Sequence, residues 1–357
     1  MDHTASPRIL IVGAGTTGLT AALELARRGL VPTVIDASAA PSPISRAVGL
    51  TPRSLAHLAP SGIAERLIKE GIPLGAMRIH RGARLAMAFP LHSETAFFRT
   101  LVALPQDQTV TMMIKRLREM GGEVAFGTRL ERLDGTGPII AHFEDGTDER
   151  FDVVIGADGV GSTVRKAARI AFPGHDLGGD WSLADVDLKD WQSPGDFTVD
   201  LSPGRIGVVV PLGGDRYRLV ANTPTARAAF DLPMKVASVR LEEPLRISVR
   251  QAQAYAKGSI VLAGDAAHTF SPIGGRGMNL GIGDAAVLAD CLARGRIADY
   301  PSLRRPVGRW AIRETEIARK LMTAESPLWG RAFSAMMSVG DLAGPLRRRI
   351  GRYAVEF

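Results

Sequence analysis

Apolar and polar positions follow different rhythms in different parts of this chain. Ile9-Leu10-Ile11-Val12 is an unbroken apolar run, the pattern of a strand covered on both faces of a parallel sheet. Leu19 to Arg28 has helical spacing, and Leu30 to Ile35 resumes a strand pattern that ends at Asp36. The buried-strand signature returns at Val153-Val154-Ile155-Gly156 and again at Ser259 to Ala263. Helices are expected at Ser54 to Glu70, at Gln106 to Met120 with Val110, Ile114 and Leu117 on one stripe, at Gly283 to Leu292, at Ala311 to Met322 and at Leu328 to Phe357. Two stretches read otherwise. Ala76 to Thr100 and Trp181 to Ala221 break into short alternating pieces, among them Phe197-Thr198-Val199, Ile206 to Val210 and Tyr217 to Val220, separated by glycine turns that point to hairpins. Glu123 to Phe126 and Ile139 to Phe143 are expected as strands joined around Asp134-Gly135.

The chemistry sits where the buried runs end. The first delivers Gly13-Ala14-Gly15-Thr16-Thr17-Gly18 between strand and helix: Gly13 permits a tight turn, Gly15 admits a pyrophosphate close to backbone, and Gly18 lets helix and strand approach. The N–H groups at the start of the following helix are free to face phosphate. Asp36 ends the second strand, where a carboxylate can accept from both ribose hydroxyls; an acid there repels a 2′-phosphate, so FAD or NAD is favoured over NADP as the resident nucleotide. The second run delivers Asp158-Gly159, with Ser162 and Arg165 opening a short helix, and the third delivers Gly264-Asp265 followed by Pro272 and Gly274 to Asn279. Three such turns so far apart require a long cofactor wrapped by distant segments.

Composition narrows the partners. The 357 residues allow two domains, and 45% hydrophobic with 23% charged residues is ordinary for a globular chain. The net charge of +7 fits either a nucleic-acid surface or a basic enzyme that draws anionic cofactors. Its arginines are dispersed, with short runs at Arg304-Arg305 and Arg347 to Arg349 and no interleaved aromatics, which disfavours nucleic acid; the last run is expected to face solvent. Cys291 stands alone and is expected as a buried thiol, in keeping with a reducing cytoplasm. No signal-peptide form, membrane-length apolar stretch, internal repeat or metal-binding cluster is evident.

Taken in order and spacing, the three motifs resemble those of the single-component FAD-dependent aromatic hydroxylases, the class A flavoprotein monooxygenases with the fold of para-hydroxybenzoate hydroxylase. The resemblance covers nearly the whole chain. It implies an α/β fold: a Rossmann-like FAD-binding domain from residues 1–75, 101–172 and 258–325, an interleaved, mainly antiparallel β-sheet substrate domain from 76–100 and 173–257, and a C-terminal helical segment at 326–357. Gly13, Gly15, Thr17, Gly18 and Asp36 would hold the adenosine and pyrophosphate; Asp158 and Gly159 would serve FAD and the transient nicotinamide nucleotide; Asp265 would reach the ribityl or phosphate region. Pro272 would lie near the reactive edge of the isoalloxazine, and the amides around Gly277, Met278 and Asn279 near its N1 and O2, stabilising negative charge on the reduced ring, with Gly275 also contacting the cofactor. Arg46 and Gln106 match flavin-contacting positions, with Arg46 and Pro272 as the residues at the reacting centre. His268 belongs to the loop architecture and is not assigned as a base.

The implied reaction is oxygen insertion into an aromatic or conjugated small molecule, using NADH or NADPH and dioxygen through a flavin C4a-hydroperoxide. A flavin reductase or dehydrogenase of the same fold, or a noncatalytic FAD-binding partner, are the alternatives. His80, His92 and His175 are candidates for contact with substrate by chemistry alone, and Phe89, Phe97, Phe98, Phe197 and Val208 to Val210 line either a cavity or the sheet core. The chain departs from the family pattern between Phe230 and Arg250, where it is shorter and an open cavity wall is expected, and in having no C-terminal thioredoxin-like domain. A monomer or homodimer is expected.

Overall fold

The computed structural model describes residues 6–323 apart from 43–46, 94–95, 136 and 203. Its helices are α1 (Thr16–Ala26), α2 (Pro52–Leu58), α3 (Ala64–Glu70), α4 (Gln106–Glu119), α5 (Thr163–Ala167), α6 (Gly277–Ala293) and α7 (Tyr300–Met322). The apolar runs form the middle of a six-stranded sheet in the order Ala256–Lys257, Ile260–Leu262, Val153–Gly156, Ile9–Val12, Thr33–Asp36, Val124–Phe126. All pairs are parallel except the Ala256–Lys257 edge. Ile9–Val12 and Val153–Gly156 are buried at every position, which explains why their sequences are continuous rather than alternating.

The alternating pieces form a seven-stranded sheet in the order Lys235–Leu245, Trp181–Lys189, Arg216–Ala221, Arg205–Gly213, Phe197–Ser202, Ala76–Arg81, Arg84–Pro90. Its pairs are antiparallel except Phe197–Ser202 against Ala76–Arg81. Because strand residues alternate faces, the register divides it cleanly. One face carries Ala184, Val186, Val209, Tyr217 and Leu219, closed by Trp191, Phe230 and Met234. The other carries Phe89, Val199, Ile206, Val208 and Val210, and packs with Val48, Ala103, Leu321, Met322 and Ile273 from outside the sheet. A three-stranded sheet of Gly174–Asp176, Ser248–Gln251 and His268–Thr269 ties the two regions together.

Three expectations are corrected. The helix expected at Ser54 to Glu70 is interrupted: Pro60 falls in a short 3-10 turn and Gly62 takes φ 74°, so α2 and α3 are separate. Glu123 to Phe126 and Ile139 to Phe143 do not form one hairpin; Val124–Phe126 joins the parallel sheet, while Ile139–Phe143 pairs with Leu130–Asp134. The helix expected from Gly283 starts six residues earlier, at Gly277. The span between Phe230 and Arg250, where no element was expected, holds a long edge strand, Lys235–Leu245, mostly exposed. The C-terminal helical segment expected at 326–357, with the Arg347 to Arg349 run, lies outside the described residues. Cys291 is buried and unpaired, and among the described residues no helix is long and apolar enough to cross a membrane and no metal-binding cluster occurs.

Candidate active site

The three turns converge because their strands are neighbours in one parallel sheet, and the site lies at the carboxyl ends of those strands. Gly13 N–H donates to Ile35 O at 2.8 Å, Ala157 N–H to Val12 O at 2.8 Å, and Ala263 N–H to Gly156 O at 3.0 Å. Gly13 has φ 105°, and a Cβ there would stand 2.3 Å from Ala157 O, so the first turn is pressed onto the second. A Cβ on Gly18 would stand 1.9 Å from Gly13 O, which accounts for the third glycine of that motif. Open space surrounds the Cβ positions of Gly15, Gly159, Gly275 and Gly277. These are cradle positions, and they suit close approach of a pyrophosphate and a flat ring to backbone.

Thr17 joins the first motif to the third. Its Oγ1 would lie 2.5 Å from a Cβ on Gly264 and 2.3 Å from one on Gly281, so both glycines exist to let the hydroxyl in. Asp36 has one carboxylate oxygen on Ala14 N–H and the other on Ser38 N–H, each at 2.8 Å, which leaves further lone pairs on both oxygens for hydroxyl donors. Asp158 is used locally: Oδ1 accepts from Ser162 Oγ at 2.5 Å, and Oδ2 from Thr163 N–H at 2.7 Å and Val164 N–H at 3.1 Å, so it caps α5. Arg165, on α5, donates to Ala266 O at 2.9 Å and Val160 O at 2.7 Å and stacks 3.9 Å over Phe172. It bridges the second and third motifs. Burial pulls its pKa below the ordinary arginine value, with Asp158 opposing.

In the third motif, Gly264 (φ 61°) opens a 3-10 turn through Ala266 that leaves Asp265 exposed. Pro272 is half-buried, and its carbonyl accepts from Gly275 N–H at 2.9 Å in the turn before α6. Gly277, Met278 and Asn279 are the first turn of α6, and no side chain caps it. The sequence placed those amides before the helix; the structure makes them its start, where partial positive charge is concentrated. Asn279 donates to Gly49 O at 2.8 Å and accepts from Thr51 N–H at 2.9 Å, fixing the loop that follows residues 43–46. Gln106 accepts from Ala47 N–H at 3.2 Å and donates its backbone N–H to Ala47 O at 3.1 Å, holding the same loop from the other side. Arg46 itself lies outside the described residues.

A buried cluster in this region was not read from the sequence. Asp284 accepts from His268 Nε2 at 2.6 Å, Arg304 Nε at 2.7 Å and Gly264 N–H at 3.1 Å. Burial alone would push its carboxyl up, but His268 and Arg304 outweigh that and hold it below the usual carboxylate range. The available signal was an acid in the apolar run Leu280 to Leu288.

The sheet face carrying Val208 and Val210 shares its apolar cluster with Ile273, the neighbour of Pro272. Phe89 is buried there, Phe197 is half-buried, Val209 points to the opposite face, and Phe97 is exposed on a loop. On the same face Arg218 pairs with Asp185 at 2.7 Å, both fully buried, and Arg216 reaches Asp185 at 2.6 Å. A cavity of about 220 Å³ opens where the last turn of α7 meets this sheet, lined by Trp181, Asn222, Arg319 and Thr323 among others. His92 and His175 are exposed, while His80 is half-buried with its pKa lowered by burial.

The family described as "FAD binding domain" matches residues 7–227 and 216–297. An uncharacterized aromatic compound monooxygenase, YhjG, of Bacillus subtilis (strain 168) is 33% identical over 346 residues, spanning 88% of this chain and 68% of its own length. This chain is a member of the FAD-dependent aromatic monooxygenase family. A rifampicin monooxygenase of Streptomyces venezuelae is 31% identical over 89% of this chain and 72% of its own. In fold, the chain is similar to p-nitrophenol 4-monooxygenase PnpA of Pseudomonas putida DLL-E4, with TM-score 0.84 at 22% identity over 97% of this chain and 96% of that one. It also resembles aklavinone-11 hydroxylase, solved with FAD and aklavinone, at TM-score 0.75 and 24% identity over 90% of this chain and 70% of that one. The cofactor of this monooxygenase family is FAD, and the mixed α/β architecture expected from the motifs is the family's own.

Proposed function

We propose that this monooxygenase hydroxylates a planar phenolic or polycyclic molecule, consuming dioxygen and NADH or NADPH. One observation carries the reading: the glycine turns meet at the ends of adjacent parallel strands, directly beside a sheet face whose apolar cluster includes Ile273. Named relatives that act on tetracycline intermediates and pentachlorophenol support an aromatic substrate.

In this reading the open Gly15 and the start of α1 would bring backbone N–H groups to the pyrophosphate, with Gly13 and Gly18 shaping the turn, and Asp36 would accept from the ribose. Asp158 shapes its loop by capping α5, leaving Gly159 open to the nucleotides. Asp265 would hold the ribityl chain, and the uncapped amides of Gly277, Met278 and Asn279 would favour negative charge on the ring. Pro272 and Gly275 would wall the ring, and Gln106 would hold the Ala47 backbone toward it, with Arg46 proposed as a further contact. The bound cofactor supplies the electron storage and oxygen activation that no side chain can. Val208, Val210 and Ile273 keep water from the reacting edge and seat the substrate's apolar body. Residues 1–75, 101–172 and 258–325 would act as the cofactor unit, and 76–100 with 173–257 as the substrate unit. A lone buried thiol suits the cytoplasm, as a monomer or homodimer.

The test is oxygen uptake and nicotinamide oxidation by the flavin-loaded protein, with and without a panel of phenols and polycyclic aromatics. Substrate-stimulated uptake with little free peroxide supports the proposal. Anaerobic reduction of the substrate would make the protein a reductase, and flavin binding without turnover would make it a noncatalytic partner.

A further inference from the structure

We propose that Asp284 is a positioning residue for the flavin end of the cofactor, acting through His268 and Arg304; this rests on reading Gly264 to Asn279 as the flavin site. Its carboxylate accepts from three donors among the described residues: His268 Nε2 at 2.6 Å, Arg304 Nε at 2.7 Å and Gly264 N–H at 3.1 Å. Asp284, His268 and Arg304 are all buried, so no water replaces a lost partner cheaply. The donors come from different elements. Gly264 opens the turn that presents Asp265, His268 lies in the small sheet opposite Gln251, and Arg304 belongs to α7. Asp284 itself lies on α6, the helix whose first turn is Gly277 to Asn279. One ionised group therefore sets the spacing between the Gly264-Asp265 turn and the amides at the start of α6.

The surroundings are built around this contact. Gly283 has no side chain where Arg304 passes: a Cβ there would stand 3.2 Å from its guanidinium. The His268 ring is stacked between Tyr255 and Phe270, at 5.9 Å and 5.8 Å, which fixes its plane and aims Nε2 at Asp284. Its buried Nδ1 has no partner among the described residues, so the ring's polar function here is the single bond to Asp284. An Asn at 284 would turn an N–H₂ toward at least one of these donors, at unchanged size. The turn and the helix start would then separate or rotate, while the adenosine end at Gly13 to Gly18 and Asp36 would keep its own contacts.

That asymmetry is measurable. Binding of FAD and of ADP-ribose, which lacks the flavin, is titrated for the wild type, D284N, H268L and H268Q, with circular dichroism to establish folding. Outer-shell partners of bound metals typically change affinity by ten- to hundredfold; on that scale D284N should bind FAD about tenfold more weakly and shift the flavin's visible spectrum, with ADP-ribose affinity kept within about twofold. H268L should show the same bias in smaller degree, and H268Q, which restores an N–H donor, should recover it. Unchanged FAD affinity in D284N, or an equal loss of both ligands, would overturn the proposal; should D284N fail to fold, the H268L and H268Q pair decides it by the same criterion. A wild type that binds ADP-ribose but not FAD would instead overturn the flavin reading itself.

Discussion

Single positions in this chain are constrained by contacts that can be named. Gly13 combines φ 105° with a Cβ position 2.3 Å from Ala157 O. Gly13→Ala must strain the backbone, by about 1–3 kcal/mol, and push the first turn from the second. We expect a lower melting temperature and loss of most flavin on purification; full retention of both would show that the turn tolerates a side chain. His57 provides a pH-dependent counterpart. Burial lowers its pKa, with Arg53 and Arg304 adding to the effect and Glu24 opposing it. The folded protein thus resists protonating His57, and below its ordinary value of 6.5 the unfolded chain binds more protons. Stability should be constant with respect to this group above that value and should decline as pH falls through it. H57Q should flatten the dependence of melting temperature on pH between about 7 and 5.5, and an unchanged slope would remove His57 from the account. Glu119, held at about 2 by hydrogen bonds from Arg66 and Arg116, acts only in more acid solution.

Elements were legible in the sequence where one rhythm decided them, and illegible where packing overrode it. Ile9–Val12 and Val153–Gly156 were read with their observed limits because continuous apolar runs ending in glycine have few other solutions. The start of α6 was missed for a physical reason. Gly277, Gly281 and Gly283 carry poor helix propensity, yet Gly281 must admit Thr17 and Gly283 must admit Arg304, so close packing required what propensity disfavoured. Edge strand Lys235–Leu245 was missed because its mostly exposed positions leave no apolar alternation to read. Adjacent positions of strand Arg205–Gly213 separate the proposed substrate face from the opposite core. Val209 is buried on the face closed by Trp191 and Phe230, while Val208 is half-buried on the face shared with Ile273. V209A should cost about 1.5–3 kcal/mol with little change in substrate preference. V208A should do the reverse, raising KM for small phenols more than it lowers stability; equal stability losses without a kinetic effect would place both residues in the core.

At the scale of the molecule, the sequence made the glycine turns and the strands that deliver them legible and left the antiparallel sheet's apolar face largely unread. The glycine turns announce themselves because backbone approach to a nucleotide admits few residue types, and Arg165 and Thr17 show in space how those turns are bound together. The proposed substrate face is built from ordinary valines and leucines together with a buried Arg218–Asp185 pair, whose placement depends on strand register rather than on any local pattern. The proposed function rests on the meeting of the two regions: glycine turns at the strand ends, and an apolar sheet face whose cluster includes Ile273. The most direct measurement is turnover of a responsive phenol or polycyclic aromatic under isotope-labelled dioxygen, with the product read by mass spectrometry. The account predicts one labelled oxygen atom per product molecule, dependent on FAD and on NADH or NADPH. A product whose added oxygen carries no label, or one formed equally well without dioxygen, would contradict it.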